Sequence, residues 1–361
     1  MKSTAYIEYA GCTLHQIAPY IGKTKPLIAR ELIRSFSEKG DWIWDPFCGS
    51  GTIALEAKLQ SRNVLAGDVN PYACCLTRSK LHAPENMKTP LKQIERASLK
   101  LHAVRTNPHD AAPQWVRKFF HSKTLKEARF LAREFIESKN YFLVGCLLGI
   151  LHHQRPGFLS FPASHLIPYL RTKLFPMEMF PEYYQYRDPI PRMIAKVQRV
   201  LKNPVENTAS RFRVFEKSIF GKYVPDDSID VVLTSPPYMN NLDYGRDNRL
   251  RLWFLGIKDY KSITREEIRG VNSFEKDMFA TLTASSLSLR RNGKCILIIG
   301  DVRKNGMIFD LPHLVKRIVK RSVAALEYGE SWTEKIPDEH RSLGNRRGTI
   351  EETIMVFRKK R

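Results

Sequence analysis

Short apolar runs typical of buried strands alternate with helical patterns along most of this 361-residue chain. The runs are DWIWD (Asp41–Asp45), NVLAGD (Asn63–Asp68), RFRVFE (Arg211–Glu216), DVVLTS (Asp230–Ser235) and KCILIIGD (Lys294–Asp301), with a terminal pair at VAALEY and TIMVF. Helical patterns cover Lys25–Phe36, a segment starting near Pro71, Glu275–Arg290 and Leu311–Arg321. Alternation of this kind is typical of parallel strands joined by crossover helices. The sequence therefore predicts an α/β fold with a doubly wound, mostly parallel sheet.

The segment between the second and third predicted strands is helical and basic. Its longest helical pattern covers Leu125–Gln154. Residues 83–215 contain 22 Lys and Arg against 10 Asp and Glu, so +12 of the formal charge of +22 lies in about a third of the chain. We expect residues 86–210 to form a mainly helical insert with a surface for a polyanion, between the two halves of the main domain at 1–85 and 211–361.

The composition is that of a globular protein. No apolar run approaches the roughly 20 residues that span a bilayer, and MKSTAYIEYAG lacks the basic and apolar pattern of a signal peptide. The six cysteines form no CxxC pair and no spacing with histidine that predicts a metal site. We therefore expect a cytoplasmic protein with reduced cysteines, no bound metal and no membrane segment.

The turn DPFCGSGT follows a predicted strand and opens a helix, where a ligand can meet backbone N–H groups. Gly49 and Gly51 allow positive φ and a close approach of the backbone. Asp45 would repel a phosphate, so a cationic amino group is its better partner. Asp68 ends the next strand, where a carboxylate can accept hydrogen bonds from ribose hydroxyls; a helix N-cap is the alternative. A ligand joining an amino acid to adenosine suits both carboxylates, which predicts S-adenosylmethionine as cofactor.

A second motif, TSPPY, ends the strand that begins near Ile229. Pro236 and Pro237 fix φ, remove two N–H donors and hold the preceding residues extended, so backbone carbonyls project in fixed directions. Ser235 adds a hydroxyl and Tyr238 adds a flat ring. Hydrogen-bond acceptors beside an aromatic face suit a planar ligand that carries an amine.

Together, DPFCGSGT, GDVNPYA and TSPPY resemble the motifs of the amino-methylating DNA methyltransferases, which methylate cytosine N4 or adenine N6. The upstream segment His15–Ile33 is similar to the one that closes over the methionine part of the cofactor in that family. The resemblance covers roughly residues 12–82 and 211–358. The cofactor motif precedes the catalytic one, which is the alpha arrangement, and the target-recognition region then falls at about 86–210.

The resemblance implies a Rossmann-like class I methyltransferase fold and assigns roles to individual residues. It implies cofactor binding by Lys25, Asp45, Pro46, Phe47, Gly49, Gly51, Thr52, Asp68 and Asn70, and catalysis by Ser235, Pro236, Pro237 and Tyr238. It also implies double-stranded DNA as partner, a cognate restriction endonuclease, and a prokaryotic, nucleoid-associated location. The family often has an acidic residue after the third strand, where this chain has Lys217 and Ser218. The contact to the adenine ring is therefore left between Glu216, Ser218 and a backbone amide.

The target base and the class of nucleic acid are separate questions. Ser235 at the first position of the motif resembles the cytosine-directed members, so cytosine N4 is favoured over adenine N6. An RNA methyltransferase with a similar Pro-Pro-aromatic loop is a further alternative, and a nucleic-acid-binding module without catalysis is another. A carbon-5 methylating enzyme would need a nucleophilic cysteine in a Pro-Cys loop, and the chain contains no Pro-Cys pair. The sequence also leaves open whether Arg246, Arg249 and Arg251 meet phosphates or solvent.

Overall fold

The computed structural model describes residues 11–103, 112–203, 208–237, 243–267, 271–300, 302–304, 307–335 and 351–360. Its strands are β1 (Trp42–Asp45), β2 (Asn63–Asp68), β3 (Phe212–Glu216), β4 (Ile229–Thr234), β5 (Leu289–Gly300), β6 (Val302–Lys304), β7 (Met307–Phe309), β8 (Leu326–Lys335) and β9 (Glu351–Lys359). Seven of them form one sheet in the order β3-β2-β1-β4-β5-β9-β8. Strand β9 runs antiparallel to both neighbours, and the other pairs are parallel. The predicted mostly parallel sheet is confirmed.

Helices cover both faces of this sheet and fill the segment between β2 and β3. The α-helices are α1 (Pro26–Phe36), α2 (Thr52–Leu59), α3 (Pro71–Leu81), α4 (Lys88–Ala103), α5 (Gln114–Arg117), α6 (Ser122–Glu137), α7 (Tyr141–Gly149), α8 (Pro189–Val200), α9 (Tyr244–Asp247), α10 (Arg249–Phe254), α11 (Tyr260–Glu267), α12 (Val271–Ser288) and α13 (Leu311–Ser322). Two 3₁₀ helices lie at Thr13–Gln16 and Pro181–Tyr184.

Side chains that alternate along the strands serve two separate cores. Ile43 and Val231 pack with α1 and α2 on one face of the sheet. Trp44 and Val232, the next residues of the same strands, pack with α12 and α13 on the other face. This period of two explains why the central strands read as continuous apolar runs, because a strand covered on both faces needs no polar side. The sheet is therefore doubly wound, as predicted.

The expectation of one long helix over Leu125–Gln154 is wrong. Helix α6 ends at Glu137, Lys139 adopts a left-handed φ of 53°, and α7 begins at Tyr141. The Asn140 side chain accepts a hydrogen bond of 3.2 Å from the Leu143 N–H and so caps the new helix. Apolar periodicity continues across the break because both helices bury a face in the same core. Two strand boundaries also differ from the prediction. Strand β5 begins at Leu289 and not at Lys294, and β8 begins at Leu326 and not at Val323.

The insert shares a core with the cofactor half of the chain. A Cβ on Gly145 in α7 would lie 2.4 Å from the Ser79 hydroxyl of α3, so only glycine allows this approach. Ser79 in turn donates a hydrogen bond of 2.7 Å to the Tyr141 carbonyl. The boundaries near residues 85 and 210 stay a prediction, and the shared core means that removing the whole insert would expose α3.

Candidate active site

Both glycines of the turn between β1 and α2 have a positive φ, as predicted. Gly49 has a φ of 47° and Gly51 a φ of 71°. A Cβ on Gly51 would lie 2.8 Å from the Thr77 Cα of α3, which leaves no room for a side chain. Thr52 is buried and begins α2. The turn therefore brings α2 close to α3 and leaves Gly49 at the carboxyl end of the sheet.

Asp68 ends β2 beside this turn. Its carboxylate accepts a hydrogen bond of 2.9 Å from the Gly49 N–H and another of 2.9 Å from the Asn70 N–H. Burial raises the pKa of Asp68 to about 6 against the lowering effect of these backbone donors. Each carboxylate oxygen has two lone pairs, so both can still accept a hydroxyl hydrogen from a ligand. Asn70, not Asp68, caps α3, because the Asn70 side chain accepts from the Tyr72 N–H at 3.0 Å.

Asp45 ends β1 and is 1% exposed. The Thr234 hydroxyl, at the end of β4, donates a hydrogen bond of 2.6 Å to Asp45 Oδ1. Burial raises the pKa of Asp45 to about 7, while the bonds from Thr234 and from the Phe47 N–H act in the opposite direction. Asp45 therefore joins the cofactor turn to the strand that carries the second motif.

The strand β4 delivers the second motif to the same edge of the sheet. Ser235 and Pro237 follow β4 directly and are half-buried, whereas Pro236 is buried. Tyr238, the aromatic residue of the motif, lies outside the described residues. Because β1 and β4 are parallel neighbours, their carboxyl ends place DPFCGSG and TSPP side by side.

One cleft at this edge, the strand-end cleft, contains residues from both motifs. Its lining consists of Tyr20, Gly22, Pro46, Phe47, Gly49, Asp68, Val69, Lys217, Ser218, Ile219, Phe220, Ser235, Pro237, Tyr244 and Asp277. Among the predicted site residues, Pro46, Phe47, Gly49, Asp68, Ser235 and Pro237 are part of this lining. Asp45, Gly51, Thr52, Asn70 and Pro236 lie behind it and shape the turns that form it.

Lys25 lies apart from the cleft lining. It directly precedes α1. Burial lowers the pKa of Lys25, and the charges of Glu352 in β9 and Glu334 in β8 partly offset that lowering. Its assignment as a cofactor contact stays a prediction. Tyr20 and Gly22, in the same segment, do line the cleft.

Several lining residues were not predicted as site residues, among them Tyr20, Tyr244 and Asp277. Tyr20 packs over the cofactor turn, since a Cβ on Gly49 would lie 3.3 Å from its ring. Tyr244, at the start of α9, stacks on Tyr20 with ring centroids 5.6 Å apart and an interplanar angle of 21°. Asp277 comes from α12. Of these three, only Tyr20 lies in a segment that the sequence motifs single out, His15–Ile33.

The structure narrows the choice of a contact to the adenine ring. The Glu216 carboxylate is bound by the Arg78 guanidinium at 2.8 Å and does not line the cleft. Lys217 and Ser218 do line it, beside Val69 and Ile219. Of the two candidate side chains for the adenine contact, Glu216 and Ser218, only Ser218 lines the cleft.

The structure also answers the question about three arginines after the catalytic motif. Arg246 pairs with Asp243 and Asp247. Arg251 is 1% exposed, and its guanidinium donates to the carbonyls of Leu166 and His165. Arg249 is half-buried and donates to the Pro168 carbonyl. Helix α10 therefore holds the turn at residues 165–168 of the insert.

Within the described residues, no group of three or more His, Cys, Asp or Glu side chains is arranged to hold a metal ion. None of the helices in this part of the chain combines the length and the apolar character that crossing a bilayer requires.

Comparison with known proteins follows the motifs. Residues 23–79 match the family model of N6 and N4 methyltransferases, described as DNA methylase. The Type II methyltransferase M.BsoBI of Geobacillus stearothermophilus is 24% identical over 304 residues, which are 72% of this chain and 56% of the relative. The Type II methyltransferase M.MjaII of Methanocaldococcus jannaschii is 33% identical over 81 residues, or 22% of this chain and 15% of the relative. The chain thus spans little more than half of the length of M.BsoBI.

A solved structure, TrmN from Thermus thermophilus, aligns with 96% of this chain and 52% of its own, at 13% identity and a TM-score of 0.40. That superposition is too loose to add to the fold seen directly in the sheet order. The family match and M.BsoBI support S-adenosylmethionine as the cofactor. Together with the motifs that meet at the strand-end cleft, they support membership of the amino-methylating DNA methyltransferase family.

Proposed function

We propose that this protein is an S-adenosylmethionine-dependent DNA methyltransferase that modifies an exocyclic amine of a base, with cytosine N4 as the favoured position. One observation carries the proposal. Ser235 and Pro237 line the same cleft as Gly49 and Asp68, although the two motifs are separated by more than half of the chain. A site for a nucleoside-containing cofactor and a site for an amine-bearing base would then share one boundary.

The residues of the cleft fit the proposed cofactor. Asp68 offers carboxylate oxygens for ribose hydroxyls, and Val69 and Ile219 offer apolar sides for a ring. The Gly49 turn brings backbone close to the ligand without a side chain in the way. When bound, S-adenosylmethionine supplies a methyl group on a positively charged sulfur atom. Asp68 and the buried Asp45 give this end of the sheet the negative charge that suits such a ligand.

The second motif suits an amine that is conjugated to a ring. Such an amine is a poor nucleophile because its lone pair is delocalised into the ring. The Ser235 hydroxyl oxygen and the Pro236 carbonyl would accept the two amine hydrogens and direct the lone pair towards the cofactor side of the cleft. The prolines hold these acceptors in place, so little reorganisation is needed. This route requires no covalent intermediate, and Tyr238 would stack on a base flipped out of the duplex.

The insert would supply the contacts to DNA. Its excess of cations, including the exposed Arg117, Lys118 and Lys126, suits a phosphate backbone. Both curated relatives are named Type II methyltransferases, which supports a role in restriction and modification with a cognate endonuclease as partner. A cytoplasmic, DNA-associated location in a prokaryotic cell follows from that role.

The test compares methyl transfer to duplex DNA and to tRNA, side by side, with labelled S-adenosylmethionine. We expect transfer to DNA, and a large loss of turnover in Ser235→Ala with little change in DNA affinity, because the hydroxyl acts chiefly as the amine changes geometry. Transfer to tRNA alone would replace DNA by RNA as the substrate. Cofactor binding without transfer to either would favour a binding module, and full turnover in Ser235→Ala would leave the Pro236 carbonyl as the acceptor.

A further inference from the structure

Three arginines and two histidines gather where the insert meets the helices that follow the catalytic motif. The group, named here the basic turn, consists of His153, Arg155, His165, Arg171 and Arg192. The rings of His153 and His165 lie 4.5 Å apart. Arg171 donates to the Gln154 side chain at 3.1 Å, and Arg192 donates to the Pro156 carbonyl at 3.2 Å. Three chain segments therefore bring cations to one place.

The three arginines supply the positive charge of the basic turn, because the pKa values of both its histidines are lowered and leave the rings largely neutral at neutral pH. Burial, followed by the charges of His153 and Arg251, lowers the pKa of His165 to about 4. Burial, followed by Arg155 and Arg171, also lowers the pKa of His153. Asp188 is a nearby carboxylate, and it caps α8 through the Ile190 N–H at 2.8 Å. A surface that gathers cations in this way is costly unless it meets an anion.

The surface also exposes an arginine and an aromatic ring. Arg155 is exposed, and Tyr169, 48% exposed, lies beneath the Arg171 guanidinium, whose central carbon is 5.9 Å from the ring centroid. Arginines clustered on one face are typical of surfaces that contact a phosphate backbone.

The basic turn is fixed relative to the strand-end cleft. Arg251 and Arg249 of α10 donate to the carbonyls of residues 165, 166 and 168, a stretch that begins at His165 and ends three residues before Arg171. Helix α10 directly follows α9, and α9 begins with Tyr244 at the cleft. A rigid link of two short helices therefore connects the cationic surface to the place where the base would sit.

We propose that the basic turn contacts the phosphate backbone of duplex DNA beside the strand-end cleft. The proposal rests on the proposed function and names the surface on which the DNA lies. Phosphate contacts fix register and orientation without reading sequence, so the basic turn would serve the enzyme at any recognition site.

The experiment measures the affinity of the full chain for a short random-sequence DNA duplex as KCl rises from about 50 to 200 mM. Arg155→Ala is the test variant, because Arg155 is exposed and its loss leaves the core intact. Arg155→Lys retains the charge. Lys39→Ala is the matched control. Lys39 is an exposed cation just before β1, at the amino-terminal ends of the parallel strands, whereas the cleft lies at their carboxyl ends.

We expect Arg155→Ala to bind several-fold more weakly at low salt and to lower the slope of log affinity against log salt by about 0.9. Arg155→Lys should retain most of the slope, and Lys39→Ala should match the wild type. If the wild type binds DNA and Arg155→Ala behaves like Lys39→Ala, the basic turn is not the contact surface, while the proposed function stands. If the wild type does not bind duplex DNA at any salt, the proposed DNA substrate itself is overturned.

Discussion

Thr234 donates a hydrogen bond of 2.6 Å to the buried carboxyl group of Asp45, and this bond joins the ends of β4 and β1 below the strand-end cleft. Thr234 directly precedes Ser235, and Asp45 directly precedes the cofactor turn. The two motifs are thus connected through a single side-chain contact between neighbouring parallel strands. This contact gives a physical reason for a hydroxyl residue before Ser-Pro-Pro.

Replacing Thr234 by valine should lower the free energy of unfolding by about 1–3 kcal/mol, because valine has a similar shape but leaves a buried acceptor without its donor. Thr234→Ser retains the hydroxyl and should lose much less. Chemical denaturation of the two variants measures the difference. Equal losses would mean that the methyl group, rather than the hydrogen bond, matters at this position.

The raised pKa values of Asp45 and Asp68, about 7 and about 6, predict a definite pH dependence in the protein without cofactor. A carboxyl group with a raised folded-state pKa binds its proton more tightly in the folded than in the unfolded chain. Its contribution to stability is therefore complete below the unfolded-state pKa near 4 and is lost as pH rises to about 7. Asp45→Asn removes one such group, so its free energy of unfolding should rise relative to the wild type across this range. Parallel curves for the two proteins would show that Asp45 titrates normally.

Asp68 is expected to hold both the cofactor and the turn that contacts it. Asp68→Ala should weaken S-adenosylmethionine binding by about 1–3 kcal/mol, since ribose hydroxyls and the Gly49 N–H lose an acceptor. Asp68→Asn, which retains one acceptor oxygen, should fall between alanine and the wild type. Isothermal calorimetry measures all three affinities, and unchanged binding by the alanine variant would remove Asp68 from the site.

The stacked rings of Tyr20 and Tyr244 connect the segment before α1 to the helix after the catalytic motif. Alanine at both positions should cost less than the sum of the single changes, with a coupling of about 0.5–1.5 kcal/mol in the free energy of unfolding. The Tyr→Phe variants retain the rings and should retain the coupling. Strictly additive costs would mean that the rings contribute separately.

Local sequence patterns predicted the parts of the fold that depend on local chemistry. The central strands are recognisable in the sequence because burial on both faces requires apolar residues throughout. The glycine turn is recognisable because Gly51 has a positive φ and packs against Thr77 with no room for a side chain, so the position requires glycine. The break before α7 was missed, since Lys139 gives no signal of its left-handed conformation.

The cleft depends more strongly on the tertiary fold. Tyr244 and Asp277 reach it only because α9 and α12 are placed there by the sheet order, and no local pattern distinguishes them from other helix residues. Likewise, the sequence could not show that Arg251 is buried against insert carbonyls instead of exposed to DNA. Such pairings join residues that are far apart in the chain.

Mass spectrometry of nucleosides tests the central claim most directly. Duplex DNA is incubated with the purified protein and S-adenosylmethionine, digested to nucleosides and compared with DNA treated with Ser235→Ala. We predict that N4-methyl-2′-deoxycytidine accumulates with the wild type and is strongly reduced with the variant. Methyl groups found only on adenine N6 would contradict the choice of cytosine, and methyl groups found only on cytosine carbon-5 would contradict the amine mechanism itself.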